Sequence, residues 1–156
     1  MRRLLKLVFG FLFVSTVVWG VGQVVTRSKS SQDSAADELD AYTFWMNKNV
    51  VARSQQLRRV TSRVLMGGAT IDLRQAQPAP EGLTVDVSTL MGGTALLVPK
   101  EWNVIVDERS ENAEVEIALE TDAAGPDAPV VDVLLTTRMG GALIGHELPS
   151  QWERSS

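Results

Sequence analysis

Apolar and polar residues alternate in several stretches of this chain. In Ala69-Thr70-Ile71-Asp72-Leu73-Arg74, the alanine, isoleucine and leucine fall on one side and the threonine, aspartate and arginine on the other. Leu83-Thr84-Val85-Asp86-Val87-Ser88 repeats the pattern. A period of two marks a strand with one buried face and one wet face. The runs 103–107 and 130–135 are also rich in β-branched residues. Pro78, Pro80 and Gly82 stop the strand pattern over 75–82, and TDAAGPDAP stops it over 121–129, because proline supplies no amide to a ladder. The pattern predicts an all-β domain.

Within that pattern one triplet recurs. Met66-Gly67-Gly68 opens MGGATIDL, Met91-Gly92-Gly93 opens MGGTALLV and Met139-Gly140-Gly141 opens MGGALIGH. The first two copies stand 25 residues apart and the next two 48, about twice that period, which points to a decayed copy between them. A degenerate copy upstream, Phe44 to Val50, would place Asn47 and Lys48 at the two glycine positions. Glycine takes positive φ and leaves room for a neighbouring backbone. Two glycines inside a β-rich run suggest a bulge or sharp bend. Stacked copies would set the bends in a row with the methionines filling the space beside them, and a continuous core would form from units too small to have their own. The expected fold is therefore repeat-built, a solenoid-like or rack-like sheet. A phosphate-cradling loop is excluded, because Gly-Gly here leads into a strand rather than a helix.

The amino terminus is different. Residues 7–25 are nineteen positions without a charge, preceded by Arg2, Arg3 and Lys6 and followed by Arg27 and Lys29. Roughly 20 apolar residues at about 1.5 Å each span the hydrocarbon of a bilayer. The run predicts one transmembrane helix, with Trp19 near its distal interface. A cleaved signal peptide is the competing reading, with Gly20 and Gly22 before the cut; the run exceeds the usual signal core of about 7–15 residues, which favours an uncleaved anchor. The basic excess before the helix places the amino terminus in the cytoplasm and the domain outside. Residues 30–41 read as a linker, with a short helix over 35–41 capped at Ser34 as the alternative. The expected organisation is an anchor with basic flanks over 1–29, a linker over 30–41, the β-repeat domain over 42–148 and a tail over 149–156.

At the repeat residues the chain resembles the cell-wall-active antibiotic response family, whose carboxyl-terminal domain is the LiaF-type or toastrack domain. The stretches VTSRVLMGGATIDLRQAQ, LTVDVSTLMGGTALLVPKEWNVIVD and VLLTTRMGGALI carry the resemblance, over about residues 42–146. In that family a large hydrophobe before Gly-Gly recurs, the first copy running into IDLR and the second into VP and a tryptophan; here these are residues 71–74, Val98-Pro99 and Trp102. The resemblance implies a β-rich repeat fold, a place in bacterial envelope-stress signalling, and a membrane sensor kinase or phage-shock-type component as partner. Members usually carry several amino-terminal membrane helices, whereas this chain has room for one. Methionine replaces their phenylalanine before each Gly-Gly, a volume-compatible change for a core position.

Charge divides along the chain. Residues 1–29 carry five basic side chains and no acidic one, 41–74 carry six basic against Asp72, and 75–156 carry four basic against fourteen acidic. The net charge of −4 lacks the clustered basic face of a nucleic-acid binder. With no cysteine, disulfides and thiolate chemistry are excluded. The lone histidine, His146, has no second histidine or cysteine with which to hold zinc. Asp72, Asp86 and Asp132 fall on polar strand faces and read as solvated, and no serine stands in a nucleophile-elbow setting. No catalytic, cofactor-binding or metal residue is therefore expected, and the chain reads as a non-enzyme.

Two functions follow from these features. The first is a membrane-anchored interaction module of the envelope, with the glycines Gly67, Gly68, Gly92, Gly93, Gly140 and Gly141 as structural residues and Arg53, Arg58, Arg59 and Arg63 as candidate contact surface. Near an anionic bilayer each arginine contributes about 1 kcal/mol. The second is a bactofilin-like structural polymer, a homo-oligomer in which open repeat ends stack.

Overall fold

The computed structural model describes residues 33–120 and 124–148. Their regular structure is all strand: β1 (Glu38–Thr43), β2 (Met46–Val51), β3 (Arg59–Asp72), β4 (Leu83–Leu97), β5 (Asn103–Ser110), β6 (Ala113–Ala118) and β7 (Val130–Gly145). Every strand pairing is parallel. No helix among the described residues is long and apolar enough to cross a membrane; the apolar run 7–25 and the tail with Trp152 lie outside them.

The strands form five rungs. β3, β4 and β7 are each one long strand carrying a Met-Gly-Gly triplet, while β1 with β2 and β5 with β6 make two broken rungs at the edges. The spatial order is β1/β2, β3, β4, β7, β5/β6. The triplets stand in direct register: Met66 beside Met91 beside Met139, with the glycines likewise aligned. The degenerate copy between the second and third triplets exists as β5/β6, but it does not lie between them in space. The last strand, β7, inserts between β4 and β5, and the degenerate rung is displaced to the edge.

The inward side changes parity at each bend. In β3, Val60, Ser62 and Val64 are buried before the triplet, and Ala69 and Ile71 after it. The step from Val64 to Ala69 is an odd number of residues, so a continuous pleat would have turned Ala69 outward. The positive φ of Gly67 (110°), Gly92 (125°) and Gly140 (127°) turns the chain at that point and keeps the interior on one side. The same step separates Thr89 from Thr94 and Thr137 from Ala142, all buried.

The core follows from that geometry. Val60, Val85 and Val133 stack before the bend, and Ile71, Leu96 and Ile144 after it. Leu57, Ala76 and Trp102 from the connections close the same cluster. Each buried valine, leucine or isoleucine contributes roughly 1.5–3 kcal/mol by leaving water.

Three expectations change. The segment 35–41 is not helical: Asp33 Oδ1 accepts the Ala35 amide in a turn (3.0 Å), and β1 has begun by Glu38 because that edge pairs with β3. In the first copy the register puts Met46 and Asn47, not Asn47 and Lys48, beside Gly67 and Gly68. The methionines do not fill the core: Met46 and Met139 are exposed and Met66 and Met91 half-buried, because the bend turns their side chains out of the interior.

Candidate docking groove

Just before the bend, the outward residues of four rungs line a groove of about 600 Å³. One row is Tyr42, Arg63, Ser88 and Thr136, in direct register from β1 to β7. Two residues further along the same rungs come Phe44, Leu65, Leu90 and Arg138. Period-two alternation turns all eight outward, because Val64, Thr89 and Thr137 between them point in. Leu65 is 46% and Leu90 38% exposed, and Met139, Leu134, Trp45 and Met46 extend the apolar surface beyond the groove. Exposed apolar surface with a polar rim is typical of a contact site.

The four arginines singled out in the sequence do not act as one group. Arg59 and Arg63 share the outward face of β3, yet of the four only Arg63 lines the groove. Its Nη2 lies 3.2 Å from Asp86 Oδ2. Arg58 reaches Glu81 at 4.0 Å, and Arg53 Nε donates to Gln75 Oε1 at 3.1 Å. Arg53 instead borders a smaller cavity of about 400 Å³ at the β1/β2 edge, together with Leu39, Lys48 and Val50. Lys48 stands in the inward row beside Ala69, and burial holds its ammonium below the usual lysine range.

The structural glycines divide by position in the triplet. A Cβ on Gly92 would overlap the carbonyl oxygen of Gly67, and one on Gly140 would overlap that of Gly92. A Cβ on Gly67 would lie 2.5 Å from the Met46 carbonyl oxygen. The second glycine is freer: a Cβ on Gly141 would come no closer than 3.5 Å to Glu114.

The titratable candidates serve the fold. His146 Nδ1 lies 3.0 Å from the Val98 carbonyl oxygen and so donates to it, which leaves Nε2 to accept the Glu120 amide at 3.0 Å. The ring thus ties the end of β7 to the connections on both sides. Arg74 grips Asp72 through two side-chain bonds of 2.9 and 2.8 Å and holds its carboxyl below the usual range. Asp72, Asp86 and Asp132 do not converge, since Asp86 sits between Thr61 and Leu134 and Asp132 between Thr84 and Ile105. Among the described residues no cluster of three or more histidines or carboxylates is placed to hold a metal.

Sequence reasoning missed the groove because its lining is assembled across four rungs. The signal was present as the leucine one position before two of the methionines, Leu65 and Leu90, where alternation calls for a polar residue. Comparison with protein-family models, with curated proteins and with solved structures finds no match to this chain.

Proposed function

We propose that the chain is a membrane-anchored, non-enzymatic interaction module of the bacterial cell envelope, acting in an envelope-stress response through the outer face of its sheet. The observation that carries the reading is the exposed apolar groove at the bend, rimmed by Arg63 and Arg138, on a domain whose interior is already complete without those side chains. The register of the three triplets supports the kinship with the toastrack domain on which the stress role rests. The apolar run 7–25 with its basic flanks supplies the anchor, amino terminus inside and sheet outside.

End-to-end polymerisation is opposed by the edges. Lys48 occupies an inward row on the β1/β2 edge, and Glu108 occupies the inward row of Ala41, Val87 and Leu135 on the β5/β6 edge. A charge at such a register position on an edge strand must be desolvated when another strand pairs there, which blunts stacking; Lys48 is half-buried there and Glu108 exposed.

The test is a deletion strain carrying a reporter of envelope stress. The reading predicts a changed response to a cell-wall antibiotic, restored by the full chain in the membrane fraction. An unaltered response, or a chain found only in the soluble fraction, overturns it. A carboxyl-terminal fusion reporter active only in the cytoplasm would reverse the orientation.

A further inference from the structure

The two rows that flank the groove are unlike. Tyr42, Arg63, Ser88 and Thr136 are polar or amphipathic, whereas Phe44, Leu65 and Leu90 form an apolar line that ends in Arg138. The two arginines differ as well. Arg63 is committed to Asp86 at 3.2 Å. Arg138 makes no ion pair with any described residue, and the Thr136 hydroxyl stands beside it on the same face of β7. The groove thus has an apolar end at β1 and an uncompensated cation with a hydroxyl at β7.

Its length and surroundings narrow the occupant. Four rungs at about 4.8 Å make a trough about 14 Å long, which matches two to three turns of helix at about 5.4 Å each. The next outward row carries Asp40, Asp86 and Asp107; Asp86 pairs with Arg63 and Asp107 with Arg109 at 3.5 Å, which leaves Asp40 without an ion pair among the described residues. An anionic bilayer attracts basic surfaces, whereas Asp40 complements a cationic flank on a peptide.

We propose that this groove binds an amphipathic helical segment of a protein partner. Its apolar side chains, at helical spacing, cover Phe44, Leu65 and Leu90. A carboxylate at one end meets the Arg138 guanidinium, and a basic side chain on one flank faces Asp40. Leucine contact removes apolar surface from water, and a guanidinium–carboxylate bond adds directional, charge-assisted recognition. Helix-in-groove docking is an established mode of peptide recognition. The assignment rests on the interaction-module reading and supplies the chemistry of its partner.

The experiment uses the full chain in nanodiscs of neutral phosphatidylcholine, offered an array of two-to-three-turn amphipathic peptides that differ in apolar content and in the charge at one end. Apolar, acid-ended peptides should be retained over basic-ended ones by about tenfold, as expected for one hydrogen bond to a charged group. Arg138→Glu should reverse that order, and a gained preference for basic ends cannot come from unfolding. Leu90→Asn should weaken every peptide. Arg63→Gln should act less than Arg138→Gln, because Asp86 already holds Arg63. Retention indifferent to Arg138→Glu, or without apolar preference, overturns the proposal. Binding of vesicles containing phosphatidylglycerol that is lost with the same substitutions would give the groove to the membrane and equally overturn it. The deletion strain reads the broader function separately: a stress phenotype without selective peptide binding sinks the groove alone, and no phenotype sinks the module.

Discussion

The three inner rungs and the two edge rungs make the same corner in different ways. β3, β4 and β7 turn on a glycine with φ of 110–127°. The edge rungs turn one residue earlier, on Trp45 (φ 65°) and Asn112 (φ 52°), residues that stand beside methionines of the inner rungs. The difference follows from neighbours. The first glycine of each triplet faces the carbonyl of the rung on its β1 side, where a Cβ has no room. At the β1/β2 edge no further rung lies beyond among the described residues, so Met46 can carry a side chain. At the β5/β6 edge Ala113 lies beside Gly140, and the turn moves back to Asn112, a residue type that accepts positive φ readily. The glycine pattern therefore marks which rungs are sandwiched.

The largest effect should separate the two glycines of a triplet. Gly92→Ala or Gly140→Ala forces a Cβ onto a carbonyl at positive φ, and should cost at least about 4 kcal/mol. Gly141→Ala, without that clash, should change stability by about 1 kcal/mol or less. Urea unfolding of the full chain, followed by fluorescence of the buried Trp102, measures both. Equal costs would remove the distinction between the positions.

A smaller effect sharpens the comparison within the inner rungs. At the corner Thr89 and Thr94 share a hydrogen bond of 2.6 Å, whereas the buried Thr137 hydroxyl has no partner among the described residues and Val64 needs none. Thr137→Val should stabilise by about 1 kcal/mol, because it removes an unsatisfied buried hydroxyl. In the same assay Thr89→Val should destabilise, since it strands Thr94.

Lys48 tests the edge. Its pKa is lowered by burial, so folding favours the neutral amine and stability should rise with pH through the folded-state pKa towards the ordinary lysine value near about 10.4. Lys48→Leu should raise the melting temperature slightly, with a gain below about 1 kcal/mol because solvent screens the site. It should also abolish the alkaline gain and promote self-association in sedimentation velocity. A strictly monomeric Lys48→Leu would show that the inward charge does not guard the edge.

The smallest effect is acid sensitivity at Asp72. Its pKa is lowered chiefly by the hydrogen bond from Arg74, so the stabilisation is present above the ordinary aspartate range and is lost as pH falls through the lower folded value. The exposed Arg74 limits it to a few tenths of a kcal/mol, about the size of a surface pair. The gap between the parent chain and Asp72→Asn in urea midpoint should close on acidification.

Much of the sheet was legible because alternation and glycine spacing are local signals. Ala69, Ile71 and Leu73, and Leu83, Val85 and Val87, are buried as their period implies. Trp102 packs in the core. The order of the rungs was not legible, because nothing local tells β7 to enter between β4 and β5; that choice sets the three glycine-bearing rungs together and leaves the glycine-free rungs outside. The start of β1 was hidden too, since Glu38 and Asp40 look like linker until β3 supplies an edge to pair with. The groove needed the register of four rungs.

The inserted last strand is the claim on which the rest depends, and engineered disulfides test it directly in a chain without cysteine. Ser88 and Thr136 are register partners on neighbouring rungs, as are Thr136 and Arg109, whereas Ser88 and Arg109 are separated by β7. Paired cysteines at 88 and 136, or at 136 and 109, should oxidise readily in the folded chain, because a disulfide spans only about 4.4–6.8 Å between Cα atoms. Cysteines at 88 and 109, about 9.6 Å apart across two rungs, should stay free. Ready oxidation of the 88–109 pair, with the 88–136 pair left reduced, would mean that the rungs stack in chain order and would contradict the account.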